Sequence, residues 1–152
     1  MKISKLFALT DNRRRFLAKY VKIMNMKTGY QKGFGFVAAK TQSTHRVDRQ
    51  GFMAPVKKAD RETYVSVITF KDNKLNVTVA CSCGDHLYRH EVALWSKGAA
   101  DIIYSNGDFP VITNPELQIR MCKHLCALYL AIKPKLPANA SVEHVPMSST
   151  GF

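Results

Sequence analysis

Cys81-Ser82-Cys83 and Cys122-Lys123-His124 hold the side chains best suited to chemistry in this sequence. One residue separates the two donors of each pair, so both can reach the same metal ion. Three thiolates and an imidazole are a donor set that tetrahedral zinc prefers, and a structural site of that kind leaves no position open. With Zn²⁺ and a neutral histidine the centre carries a net charge of about −1. The expectation is one structural Zn²⁺ held by Cys81, Cys83, Cys122 and His124. Cys126 lies one turn beyond Cys122 and reads as a small core residue, the best substitute should His124 point away. His86, four residues before His90, is the rival imidazole, but using it leaves Cys122 unexplained.

Two elements must bring these donors together. Tyr64-Val65-Ser66-Val67-Ile68-Thr69-Phe70 is rich in β-branched and aromatic residues and predicts a strand. Lys71-Asp72-Asn73-Lys74 predicts the turn of a hairpin. On the return strand Leu75, Val77, Val79, Cys81 and Cys83 alternate onto one face, so a period of two places both thiols on the same side. The other two donors open a helix from about Met121 to Ile132, stopped by Pro134. Leu125, Leu128, Tyr129 and Ile132 form its apolar stripe and are expected to pack on the hairpin. The first turn of that helix, with its unpaired amides, favours a thiolate. Between the pairs runs a 38-residue excursion, Gly84 to Met121. It predicts a helix over Tyr88 to Lys97 ended by Gly98, a tight turn at Asn106-Gly107, and an irregular return from Pro110 to Pro115.

These residues resemble the SWIM zinc finger over roughly Thr63–Ile132: Tyr-x-Val-x-Val-x-x-Phe, a hairpin, Cys-x-Cys, then Cys-x-His opening an apolar helix. Cys81, Cys83, Cys122 and His124 match the family's ligand positions one for one. The longer excursion is similar to that of SWIM-like proteins of tailed bacteriophages. The resemblance implies an α+β fold, a small zinc-stabilised β-hairpin plus helix, that binds DNA or protein and is not catalytic by itself. With no signal core or membrane span in the sequence, a cytoplasmic setting is expected, or a host cytoplasm or virion if a phage encodes the chain.

The first half of the chain differs in charge. Residues 1–60 hold 14 Lys/Arg against 3 Asp/Glu, whereas residues 61–152 hold 9 against 8. A surplus confined to one region points to a polyanionic partner, nucleic acid first. Thr10 and Asp11 offer capping chemistry for a helix reaching about Met26. Its apolar face is Phe16, Leu17, Tyr20, Val21 and Met24; Arg15, Lys19 and Lys22 lie opposite, with Arg14 at the edge. Arg14, Arg15, Lys19 and Lys22 are the candidate nucleic-acid contacts. The division that follows is a basic helical N-terminal extension and arm over 1–62, a zinc domain over 63–133 and a Pro-rich tail over 134–152.

Lys32-Gly33-Phe34-Gly35-Phe36-Val37 matches the first six positions of the aromatic RNA-binding signature of the RRM fold, and is similar to the corresponding cold-shock strand. In those families the aromatics stack on bases. The 31 preceding residues cannot easily supply the strand, helix and strand that an RRM needs, and Ala39 stands where another aromatic belongs. The segment therefore reads as an ordinary strand with core-facing phenylalanines. Residues 40–62 are polar, basic and aperiodic, and predict a long connection.

Several classes are set aside. No glycine loop followed by Lys-Ser/Thr is present, and no convincing carboxylate pair, so neither an enzyme nor a small-molecule substrate is expected. The run Leu6-Phe7-Ala8-Leu9 is too short for a signal core, and no stretch approaches a membrane span. The remaining partner class is protein: a phage virion or assembly component (tail, neck or baseplate) whose arms grip neighbouring subunits.

Overall fold

A computed structural model describes residues 1–31 and 33–137. Its elements run α1 (Ile3–Leu9), α2 (Asn12–Leu17), a 3₁₀ turn Ala18–Tyr20, β1 (Val21–Gln31), β2 (Phe34–Ser43), β3 (His45–Val47), β4 (Met53–Pro55), β5 (Thr63–Phe70) and β6 (Val77–Cys81). A π-helical turn His86–His90, α3 (Glu91–Ser96), α4 (Lys123–Ile132) and a closing 3₁₀ turn follow. The class is α+β.

One antiparallel sheet in the order β1-β2-β5-β6 organises the molecule, and β3 and β4 form a separate two-stranded ribbon. β2 pairs with β5 through seven register partners, from Phe36↔Thr69 to Gln42↔Thr63. The sheet thus joins segments on both sides of residue 62, where the sequence suggests a domain boundary. Alternation decides what each face carries. Val37, Ala39 and Thr41 of β2, Ser66, Ile68 and Phe70 of β5, and Val77, Val79 and Cys81 of β6 are all buried. Against that inner face lies α4, whose Leu125, Leu128 and Ile132 are fully buried. Ile3 and Leu6 of α1 complete the same core.

The α4 helix and the β5–β6 hairpin stand where the sequence places them. Gly98 ends α3 at φ 69°, a left-handed conformation that favours glycine. Three expectations need correction. The helix predicted to reach Met26 keeps its Asp11 cap, which accepts from the Arg14 amide, but ends by Tyr20. From Val21 the chain is a strand, because pairing with β2 outweighs helical periodicity. The predicted connection over 40–62 contains the end of β2 and the β3–β4 ribbon. Finally, neither Phe34 nor Phe36 takes an inward position: Phe34 is 44% exposed and Phe36 half-buried, while Gly35 and Val37 are buried between and beyond them. The expected tail falls largely on residues 138–152, outside the described residues.

Candidate metal centre

The four expected ligands converge. Their donor atoms all lie within 4.8 Å of one another, and all four residues are buried. Two sulfurs each ~2.3 Å from a tetrahedral ion stand ~3.8 Å apart. Small side-chain adjustments therefore suffice, and the cluster can hold one metal ion. Each donor arrives by local structure. Cys81 ends β6 on its inward face, and Cys83 follows two residues later. Cys122 caps α4 with its sulfur accepting from the Leu125 amide at 3.5 Å, and His124 is in the first turn.

Hydrogen bonds to sulfur favour thiolates, and each of the three cysteines has a donor group within reach. The Ser66 hydroxyl is 3.4 Å from Cys81 Sγ, and the His86 amide donates to Cys83 Sγ at 3.4 Å. Burial opposes ionisation of Cys81, but the Cys122 and Cys83 thiols and Ser66 outweigh it and hold its pKa well below the ordinary value. Cys122 moves the other way, raised by burial and then by donating to its neighbours. A bound cation would let all three be thiolates.

His124 shows which of its nitrogens points inward. Its Nε2 is 3.3 Å from Ser43 Oγ, whereas Nδ1 is buried with no hydrogen-bond partner. The buried rings of His86 and His90 also lack hydrogen-bond partners, so His124 is distinguished by its place among the three thiols. An Nδ1-bound ion with Nε2–H donating to Ser43 is the usual way an outer partner fixes the tautomer of a ligating histidine. The Tyr64 ring, 5.1 Å away and tilted, supports the imidazole.

The rivals lie elsewhere. Cys126 is fully buried, and burial pushes its pKa up to about 12. The His86 side chain is buried with its Nε2 3.6 Å from Glu91, outside the ligand cluster. His90 is also buried, and burial pushes its pKa down to about 3, so it is neutral in the folded chain. Glu91 accepts from the amides of Ile103, Tyr104 and Ser105, which ties the excursion to α3.

A cavity of ≈ 720 Å³ opens beside the centre, with Cys83 and His124 in its wall and Arg13, Arg46 and Lys123 at its margin. Arg14 reaches the same cavity but is already committed. Its Nε is 2.7 Å from Asp85 and its Nη1 2.8 Å from Asp11. Burial works against the Asp85 carboxylate, yet Arg14, with Arg89, holds its pKa well below the usual range. Of the other candidate contacts, Arg15 bonds Asn12 and lies over the Phe7 ring. Lys19 is exposed over Phe16, and Lys22 is exposed on β1. The four thus do not share one helical face. Reasoning from sequence missed Ser43 and Ser66, although a serine on the apolar face of β5 was a visible signal.

No protein family matches the chain, and no match to it was found among curated proteins or solved structures. No helix among the described residues is long and apolar enough to cross a membrane.

Proposed function

We propose that this chain is a non-enzymatic, SWIM-type zinc module in which one Zn²⁺ is structural and the basic surface binds nucleic acid. The observation that carries the zinc assignment is the buried Cys81, Cys83, Cys122 and His124 cluster, with an unpartnered nitrogen on its histidine. Four protein donors fill a tetrahedral shell, which supports a structural site although the cavity reaches Cys83 and His124. The fourth thiol, Cys126, is buried in the core, which supports the non-enzymatic reading.

Charge supports the nucleic-acid reading, in a form revised by geometry. Arg14 serves the fold through Asp11 and Asp85. Arg13, Lys19, Lys22 and Arg46 are exposed and, among the described residues, have no acidic partner. Phosphate contacts of this kind give affinity with little sequence selectivity and a steep salt dependence. Metal analysis with an electrophoretic shift assay tests the proposal: one zinc per chain, binding at low salt, and loss of binding as salt rises. A chain that retards neither DNA nor RNA at low salt contradicts the nucleic-acid half, and a chain without zinc contradicts the other.

A second reading, a phage structural or assembly protein, is favoured by one feature. The excursion exposes Ile103, Phe109, Val111 and Ile112, the last at 90%, on a segment whose start Glu91 holds in place. Apolar groups displayed on a fixed loop suit a protein neighbour. Co-fractionation with particles, together with no shift of nucleic acid, selects this reading.

A further inference from the structure

The outer face of the sheet is the surface that the zinc centre does not use. Directly paired strand residues share a face, so Lys22, Lys27, Phe34, Phe36, Lys40 and Val65 all point away from α4. Phe34 is 44% and Val65 42% exposed. Phe36 is held in a defined place. Its ring comes within 3.2 Å of where a Cβ on Gly29 would stand, so glycine at 29 lets the ring lie across the neighbouring strand. The charge on this face has a single sign. Lys22, Lys27 and Lys40 are exposed, and none of its paired residues is Asp or Glu.

We infer that this face is a stacking platform for unpaired bases of a single-stranded nucleic acid, with Phe34 and Phe36 as the base contacts and Lys22, Lys27 and Lys40 as the phosphate contacts. This rests on the nucleic-acid reading above and names its surface and its substrate class. Charge complementarity selects the occupant. An apolar protein surface would desolvate three ammonium groups with no acid to meet them, whereas a single strand offers a flat apolar base and an anionic phosphate at each step. A duplex keeps its bases stacked inside and gives the phenyl rings nothing to cover.

Fluorescence anisotropy with a labelled single-stranded oligonucleotide, and with the duplex of the same length, tests the assignment on the full chain. Wild type is expected to bind the single strand more tightly than the duplex. Phe34→Ala, at an exposed position, is expected to weaken single-strand binding about tenfold and to leave the weak duplex binding unchanged. Lys22→Gln, Lys27→Gln and Lys40→Gln together are expected to weaken both and to lower the single-strand salt slope by about 2. Zinc content and circular dichroism verify that each variant is folded.

If wild type binds nucleic acid and Phe34→Ala is within twofold of it on the single strand, the platform is overturned and the nucleic-acid reading survives. Wild type that binds no nucleic acid overturns both. A wild-type dimer that Phe34→Ala converts to monomer shows a second copy on this face, and overturns the platform alone.

Discussion

The inner and outer faces of the four-stranded sheet are made by the same alternating strands, yet they do opposite things with polar groups. On the inner face Thr41, Ser66 and Cys81 are buried, with Ser66 within hydrogen-bond reach of both its neighbours. On the outer face Lys22, Lys27 and Lys40 are left to solvent beside Phe34. Buried polar groups are tolerated only when satisfied, and the inner-face cluster can hold a metal ion. The outer face has no such demand and remains free for a partner. A period of two therefore lets one sheet keep structural chemistry and recognition apart.

The largest way to break this contrast is to deny the inner face the metal ion proposed for it. Metal binding at a Cys₃His site is worth about 10 kcal/mol or more, comparable to the whole stability of a small domain. Chelation, or Cys81→Ser, is expected to abolish cooperative thermal unfolding. Because β2 pairs with β5, hydrogen exchange should then accelerate in β1 and β2 as well as in the hairpin. Protection retained in β1 and β2 would show that the sheet's two halves fold separately.

Next in size is the Arg14–Asp85 pair, which fastens α2 to the turn after Cys83. Asp85→Asn leaves Arg14 part-buried with one acid fewer and is expected to cost about 2–3 kcal/mol, read by urea denaturation. The pH dependence has a definite sign. The folded pKa of Asp85 is depressed below its ordinary value of 3.8, so its contribution is complete above that pH and is lost as pH falls further. His90 adds to this at milder acidity. Its folded pKa of about 3 lies below the ordinary 6.5, so protonation of the unfolded chain weakens folding progressively as pH drops from about 6.5 toward 3. His90→Gln should flatten the stability profile over most of that window, while Asp85→Asn, which also removes the carboxylate 3.7 Å from His90 Nδ1, should flatten it below about 3.8.

A smaller effect tests the outer partner of the metal ligand. Ser43→Ala removes the hydroxyl beside His124 Nε2 and is expected to weaken metal affinity about tenfold in a competition titration with a chelator. Smallest of all is Phe34→Ala, whose change in folding stability is expected within about 0.5 kcal/mol, since the ring is on the outer face. A large loss there would mean that the two faces are not as independent as the alternation implies.

The site was legible in the sequence because its determinants are local. Strand alternation aligns Cys81 with Val79 and Val77, and a helix start fixes Cys122 and His124 within one turn. The sheet's first two strands were not legible, for a nonlocal reason. Val21 and Met24 fit a helical face as well as a strand, and pairing with Ser43 and Lys40 decides between them. The direction of Phe34 is a parity problem: shifting β2 by one residue exchanges its faces, and Val37 and Ala39 under the core win the inward positions. Arg14 looked free because its partner Asp85 is 71 residues away.

X-ray absorption at the zinc edge of the purified protein tests the central claim most directly. The account predicts one zinc per chain with three sulfur neighbours at about 2.3 Å and one nitrogen at about 2.0–2.1 Å. A shell with two sulfurs, a shell of oxygens, or no zinc at all would contradict it.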